Sequence, residues 1–330
     1  MAVATVPERE KNDHDDDDDK SADNVVQYDI GTVPIHRNMV IDAVHDLANR
    51  RHMIHGFIEV DVTKALLVLK RRRRRRRRHD QQQPPLSFTA FLIASLARAV
   101  ALHPQVQGML TPRGDRLVVF RDVDVATTIE STDHHDGGYD FPHIVRNAQA
   151  RTVQDIGQEL HDMEQHPSGT RQPQPPDQRS VGLCARLPRW MRRRILRWMM
   201  REPKRRQRLV GTVSLSSVGM FGDCEGDGIG RGGHVVGYLP CHTTGIFVGG
   251  MVQKPRVVTV VGDTFSNLEV RQHVCLTLTF DHDVVVHGST ATRFIETFVE
   301  MIESASVLLV EEEAATRSSP PYRPHASMTW

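Results

Sequence analysis

The sequence predicts an α/β fold, and three observations carry the prediction. Apolar residues fall at every second position in Phe57–Val62, Val123–Ile129 and Val274–Phe280, which is the spacing of strands with one face covered. Between and after them lie segments with helical spacing, Phe88–Leu102 and the stretch from Phe294 onward above all. The chain has 330 residues, 39% of them hydrophobic, enough for one large domain or two small ones with an ample core.

In chain order, residues 1–25 form a polar tail with Asp15–Asp19 in a row. Like charges repel and nothing apolar offsets the ordering entropy, so the tail is expected to be disordered. The formal net charge of +1, from 42 Lys and Arg against 41 Asp and Glu, conceals this segregation. Val33–Arg37, then Met39, Val40, Ala43, Val44 and Leu47, predict a short extended piece and an amphipathic helix. Thr63 follows the strand Phe57–Val62 and caps a helix over Ala65–Lys70. Arg71–Arg78 is an unbroken arginine run, and residues 71–83 are expected to form an exposed arginine-rich loop, because adjacent guanidinium groups do not all find partners in a core. Such a run offers a polyanion site, for nucleic acid or an anionic membrane surface. No aromatic residues are interleaved for base stacking and the chain is not basic overall, which favours a tolerated low-complexity loop instead.

Ser87 caps the helix Phe88–Leu102, and Pro104 stops it. Val106–Leu110 and Leu117–Phe120 predict a hairpin over Arg113-Gly114-Asp115. His134-His135 lies between Asp133 and Asp136, but neighbouring strand residues point to opposite faces, so a hairpin tip is favoured over a metal site. Residues 165–208 combine a flexible Pro/Gln/Ser-rich connector, Gln165–Ser180, with a basic amphipathic helix, Leu187–Arg208. Trp190, Met191, Ile195, Trp198 and Met199 give that helix an apolar stripe, for an anionic membrane or for packing on its own domain or on another copy; Pro203 is expected to end it. Gly228–Gly233 fits G-x-G-x-x-G by count, but no helix follows, so it reads as a flexible loop. His242–Val252 and Val257–Val261 predict two strands, and residues 313–330 a flexible C-terminal tail. The four cysteines, Cys184, Cys224, Cys241 and Cys275, show no C-x-x-C pair and no short metal spacing; a reduced, cytoplasmic protein without a metal is the simplest account. The longest apolar run, Phe88–Leu102, contains Arg98 and is too short to span a bilayer, and no signal peptide is read.

The chemistry concentrates in Phe280–Phe294. His282 falls at the C-terminal end of a strand, just before Gly288 and a helix carrying Phe294, Phe298, Met301, Ile302 and Ala305 at helical spacing. Imidazole is the side chain whose ordinary pKa lies nearest neutrality, which suits general-base work.

This segment resembles the D-H-x-x-x-D-G motif of the catalytic domain of dihydrolipoamide acyltransferases, the core subunits of 2-oxo acid dehydrogenase complexes. Asp281-His282 matches its start and Gly288 its end. The sequence departs from the motif by one extra residue and by His287 at the position before the glycine, where the family has an aspartate. A second segment, Gly211–Gly222, is similar to the family's G-T-x-T-x-S-x-x-G-x-x-G; Glu59–Thr63 resembles its first strand-to-helix junction, and Phe141–Arg146 with Val153–Met163 a later strand and helix. The resemblance covers roughly Val26 to Leu309 and sets a catalytic domain at 26–312. It implies the fold shared with chloramphenicol acetyltransferase, a two-layer sandwich of a mixed β-sheet with helices on one face. It also implies a homotrimer with the active site in a channel between subunits. His282 would deprotonate a thiol acceptor of the dihydrolipoamide type, and Ser216, with Ser217 as the alternative, would stabilise the oxyanion. Asp281, His287 and Gly288 would support them. Coenzyme A would be the acyl carrier, and any lipoyl group would sit on a separate protein rather than on this chain. The altered motif leaves a second reading, a catalytically impaired trimeric scaffold, and the arginine-rich segments a third, a polyanion or membrane-surface binding protein.

Overall fold

Strand alternation and helical spacing resolve into two layers. The structure, a computed structural model, describes residues 41–42, 51–79, 86–129, 141–165, 187–217, 232–237, 241–259 and 266–318. The chain runs through β1 (Met53–Asp61), α1 (Thr63–His79) and α2 (Phe88–Leu102), then a short hairpin of β2 (Met109–Leu110) and β3 (Leu117–Val118). It continues through β4 (Val125–Ile129), β5 (Phe141–Val145), α3 (Val153–Gln165), α4 (Arg189–Arg201) and α5 (Pro203–Val210). Last come β6 (Val213–Ser217), β7 (Thr244–Thr259), β8 (Ser266–Asp281), α6 (Gly288–Ser304) and α7 (Ser306–Ser318). Six strands form one mixed sheet in the order β1-β8-β7-β6-β4-β5; β6 lies parallel to both β4 and β7, and the other pairs are antiparallel. The expected α/β sandwich of a mixed sheet and a helical layer is what forms.

The helical layer is built on α2. Ser87 caps it by accepting from Ala90 N, and ten of its residues are buried, including Phe91, Leu92, Ile93 and Leu96. A helix apolar on nearly every side belongs in an interior, and α3, α6 and α7 pack around it. From α6, Phe294, Phe298 and Ile302 face the core. The Phe294 ring meets Phe280 of β8 edge-on at a centroid distance of 6.0 Å, which pins both ends of the loop that carries His282.

Several expectations need correction. β8 is covered on both faces, not one: Cys275, Thr277 and Thr279 are as buried as Val274, Leu276 and Leu278. Thr279 Oγ1 tolerates this by donating to Gly245 O at 3.1 Å. Val257 does not begin a new strand; β7 runs to Thr259 with a bulge between Val248 and Met251. The arginine run is helical, not a loop, since α1 continues to His79. Its first residues also find partners: Arg72 donates to Leu308 O, Arg73 Nε to Leu86 O at 2.9 Å, and Arg75 pairs with Glu312 at 2.6 Å. Pro203 ends α4 but opens α5, because a proline at the first helical position gives up no needed N–H. The C-terminal boundary at 312 falls inside α7, which reaches Ser318. Gly232 and Gly233 are held against β7, where Gly232 N donates to Met251 O at 3.2 Å and Gly250 N to Gly233 O at 3.0 Å.

The basic helix α4 buries none of its residues, and Trp190 and Trp198 are largely exposed. Its arginines Arg189, Arg192 and Arg193 converge on Asp42, a buried carboxylate that the hydrogen bonds and charges of Arg189 and Arg192 hold below the usual carboxylate range despite burial. The expected acidic tail, the connector beyond Gln165, the His134-His135 tip, Gly228–Arg231 and all of the expected first helix except Ile41–Asp42 lie outside the described residues. No described helix is long and apolar enough to cross a membrane.

Candidate active site

His282 leaves the sheet at a corner made by the ends of β8 and β1. The antiparallel register sets Met53 opposite Asp281, so residues 51–52 lie against the turn that follows β8. His282 N donates to His52 O at 2.9 Å. The turn closes on Asp281, whose carbonyl accepts from Val284 N (3.0 Å) and Val285 N (2.9 Å), and whose Oδ1 accepts from Asp283 N at 3.2 Å. The His282 side chain is exposed, as are His287 and Gly288, where α6 begins.

Below His282 the corner is buried and charged. Asp281 Oδ2 pairs with Arg51 Nη1 at 3.0 Å, and the same nitrogen donates to His242 O at 2.9 Å. Burial pushes the Asp281 carboxyl above its ordinary value, against the pull of the Arg51 cation. Arg206 Nε donates to Cys241 O at 2.8 Å, and burial of this part of the floor raises the Cys241 thiol. His242 Nε2 donates to Val210 O at 2.6 Å, and burial lowers its pKa to about 4. Its ring is therefore neutral near neutral pH. On the exposed side, His52 Nδ1 meets Asp283 Oδ1 at 3.0 Å, and that carboxylate raises the His52 pKa. The motif position taken by His287 thus supplies no acidic brace, and Asp281 with Arg51 and Asp283 with His52 brace the turn from its other side.

Ser216 stands elsewhere. It is half-buried near the end of β6, and its hydroxyl lies 3.2 Å from Thr128 Oγ1 on β4. Gly211 sets the start of this strand: at φ 81° its α-carbon lies so close to Asp124 O that a Cβ would approach to 2.8 Å. The buried Asp124 carboxylate then ties the region together, accepting from Arg146 Nη1 (2.8 Å), Asn147 N (3.0 Å) and Gln207 Nε2 (3.3 Å). Ser217, the alternative, is also half-buried and closes β6.

Register gives the separation of the two candidates. Ser216 pairs with Phe247, which pairs with Thr277, five residues before His282 and two strands away from Ser216. At a strand rise of about 3.3 Å and a strand spacing of about 4.8 Å, that is on the order of 15–20 Å. Within one chain the structure does not bring His282 and Ser216 together. Arg51, His52, His242 and Thr128, which surround them, went unread in the sequence as site residues. Arg51-His52 falls immediately before a strand only in the structure, where β1 begins at Met53 rather than at Phe57, and no local pattern says which strand end lies opposite.

A family model described as 2-oxoacid dehydrogenases acyltransferase (catalytic domain) matches residues 32–173 and 205–310, leaving α4 outside the match. No curated protein matches the chain in sequence. Among solved structures, the cubic core of a pyruvate dehydrogenase multienzyme complex is similar with a TM-score of 0.57 and 16% identity, over 85% of this chain and 94% of that one. The dihydrolipoamide acetyltransferase of Azotobacter vinelandii gives the same values. A probable dihydrolipoamide acetyltransferase from Listeria monocytogenes has a TM-score of 0.56 and 16% identity, over 89% of this chain and 99% of that one. At such identities the likeness to these structures is one of fold.

Proposed function

This chain belongs to the family of 2-oxoacid dehydrogenase acyltransferase catalytic domains, and from that premise we propose that it transfers an acyl group between coenzyme A and a dihydrolipoamide-type thiol, at a site shared between copies of the chain in a homotrimer. The observation that carries the reading is the pairing of an exposed, well-braced His282 with a Ser216 too distant to serve it in the same chain. A neighbouring copy would supply the serine. In the Azotobacter vinelandii enzyme, a serine, a histidine and an asparagine have been investigated for roles in the catalytic mechanism.

In this mechanism His282 takes the proton of the acceptor thiol, and the thiolate attacks the thioester carbonyl of acyl-CoA. Ser216 turns its hydroxyl from Thr128 and donates to the oxyanion. The carbon–sulfur bond to coenzyme A breaks, the acyl group stays on the acceptor, and the proton on His282 passes to the departing CoA thiolate. The Arg51–Asp281 pair fixes the backbone beneath His282 throughout.

A thiol-release assay with acetyl-CoA and dihydrolipoamide tests the chemistry: turnover is expected in the wild type and lost in His282→Ala. Equal rates in the two would remove the enzymatic claim and leave the scaffold reading. Co-expression tests the shared site. Mixed trimers of His282→Ala and Ser216→Ala chains should regain part of the activity that either variant lacks alone, whereas no regain would place both groups within one chain.

A further inference from the structure

The face of the sheet away from the helices carries a cluster that acyl transfer does not use. Glu59 of β1 and Cys275 of β8 are direct cross-strand partners. His234 is brought over them by the segment 232–237. One ligating atom from each of Glu59, His234 and Cys275 lies within 4.8 Å of the other two. We propose that these three side chains bind a borderline-soft divalent cation, with Zn2+ the best chemical fit.

The segment bearing His234 is seated by glycines. Gly232 (φ 69°) and Gly233 (φ 136°) take conformations closed to most side chains. Gly249, in the β7 bulge, lets Gly233 O approach where a Cβ would come within 2.1 Å of it. Gly233 N then donates to Cys275 Sγ at 3.4 Å. The Phe57 ring meets the imidazole edge-on at 5.3 Å and fixes its plane. His234 Nδ1 is buried and has no hydrogen-bond partner among the described residues. A buried ring nitrogen without a partner is an unmet demand, and a metal bond is one way to meet it.

Sulfur, nitrogen and carboxylate oxygen together are a zinc donor set, and three protein ligands leave a fourth position for water. Bonds of about 2.0–2.3 Å bring tetrahedral donors to about 3.3–3.8 Å from one another, so donors within 4.8 Å must close by up to about 1.5 Å. The exposed Glu59 side chain has that freedom. Lys254 is the competitor: its Nζ lies 2.6 and 2.5 Å from the two Glu59 oxygens and must swing away for the carboxylate to ligate. Cys275 and His282 are seven residues apart along one strand and its turn, roughly 20 Å. The cation site is thus separate from the proposed catalytic one.

The test uses the full chain in its purified assembly, stripped of metal with a chelator. Co2+ titration should produce a thiolate-to-cobalt charge-transfer band saturating at one equivalent per chain. Zn2+ competition against a chromophoric chelator should show at least tenfold weaker binding in Cys275→Ser and in His234→Gln. It should show severalfold tighter binding in Lys254→Met, where the competing cation is gone. The wild-type melting temperature should rise with Zn2+ and that of His234→Gln should not. His234 is only part-buried, so its variant keeps the test open if Cys275→Ser misfolds. Absence of the band in the wild type, undiminished affinity in His234→Gln, or weaker binding in Lys254→Met would each overturn the proposal.

Discussion

The two ends of the sheet treat their polar groups in opposite ways. At the His282 corner every acid has a nearby base: Asp281 has Arg51 and Asp283 has His52. At the Ser216 end the hydroxyl has, among the described residues, only another hydroxyl, Thr128, at 3.2 Å. Charge fixes the first end and leaves the second adjustable. A general base must hold its position before the substrate arrives, whereas an oxyanion donor needs a partner it can give up when charge develops.

The largest expected effect breaks the rigid end. Arg51→Ala strands a buried carboxylate, and denaturant unfolding should show a loss of about 3–5 kcal/mol. Much of that loss should return in Arg51→Ala/Asp281→Asn, because the stranded charge is then removed. If the single variant is as stable as the wild type, the pair is not what holds the corner. Next, Ser216→Ala should lower kcat by about 10²–10³-fold with little change in stability, whereas Ser217→Ala should leave kcat nearly intact. The reverse ranking would move the donor to Ser217.

The third prediction concerns acid. His242 has its pKa lowered from 6.5 to about 4 by burial, so the unfolded chain takes up its proton first as pH falls. Its contribution is complete above pH 6.5 and is lost between 6.5 and 4, at most about 3 kcal/mol. Asp281, with its carboxyl raised, works in the opposite sense in the acid range. Urea midpoints at pH 7.5 and 4.5 should therefore be compared between the wild type and His242→Gln, and the variant should show the smaller drop. The smallest effect is at the exposed pair: Asp283→Asn should leave the denaturant midpoint nearly unchanged. It should also let the His52 pKa, followed by NMR, fall back toward its ordinary value. An unchanged His52 would mean that the pair does not persist in solution.

How much of this was legible in the sequence depended on chain distance. Phe280, His282, Gly288 and Phe294 lie within one strand–turn–helix unit, so alternation and helical spacing located the corner. Arg51 is far from Asp281 in sequence and meets it only because β1 pairs with β8, a choice that no local pattern encodes. The arginine run was misread for the same reason. Arg72, Arg73 and Arg75 look unsatisfiable until α7 and Leu86 supply their partners. Cysteine spacing offered no metal site, yet Glu59, His234 and Cys275 come from three separate parts of the chain, so no spacing could have shown them.

The sequence by itself determined the elements and the placing of an imidazole at a strand end, because backbone periodicity and turn chemistry act over a few residues. Tertiary structure alone decided which charges meet beneath that imidazole, how far Ser216 stands from it, and what gathers on the sheet's other face. Those depend on strand order and register, which arise from burying the whole set of apolar faces at once.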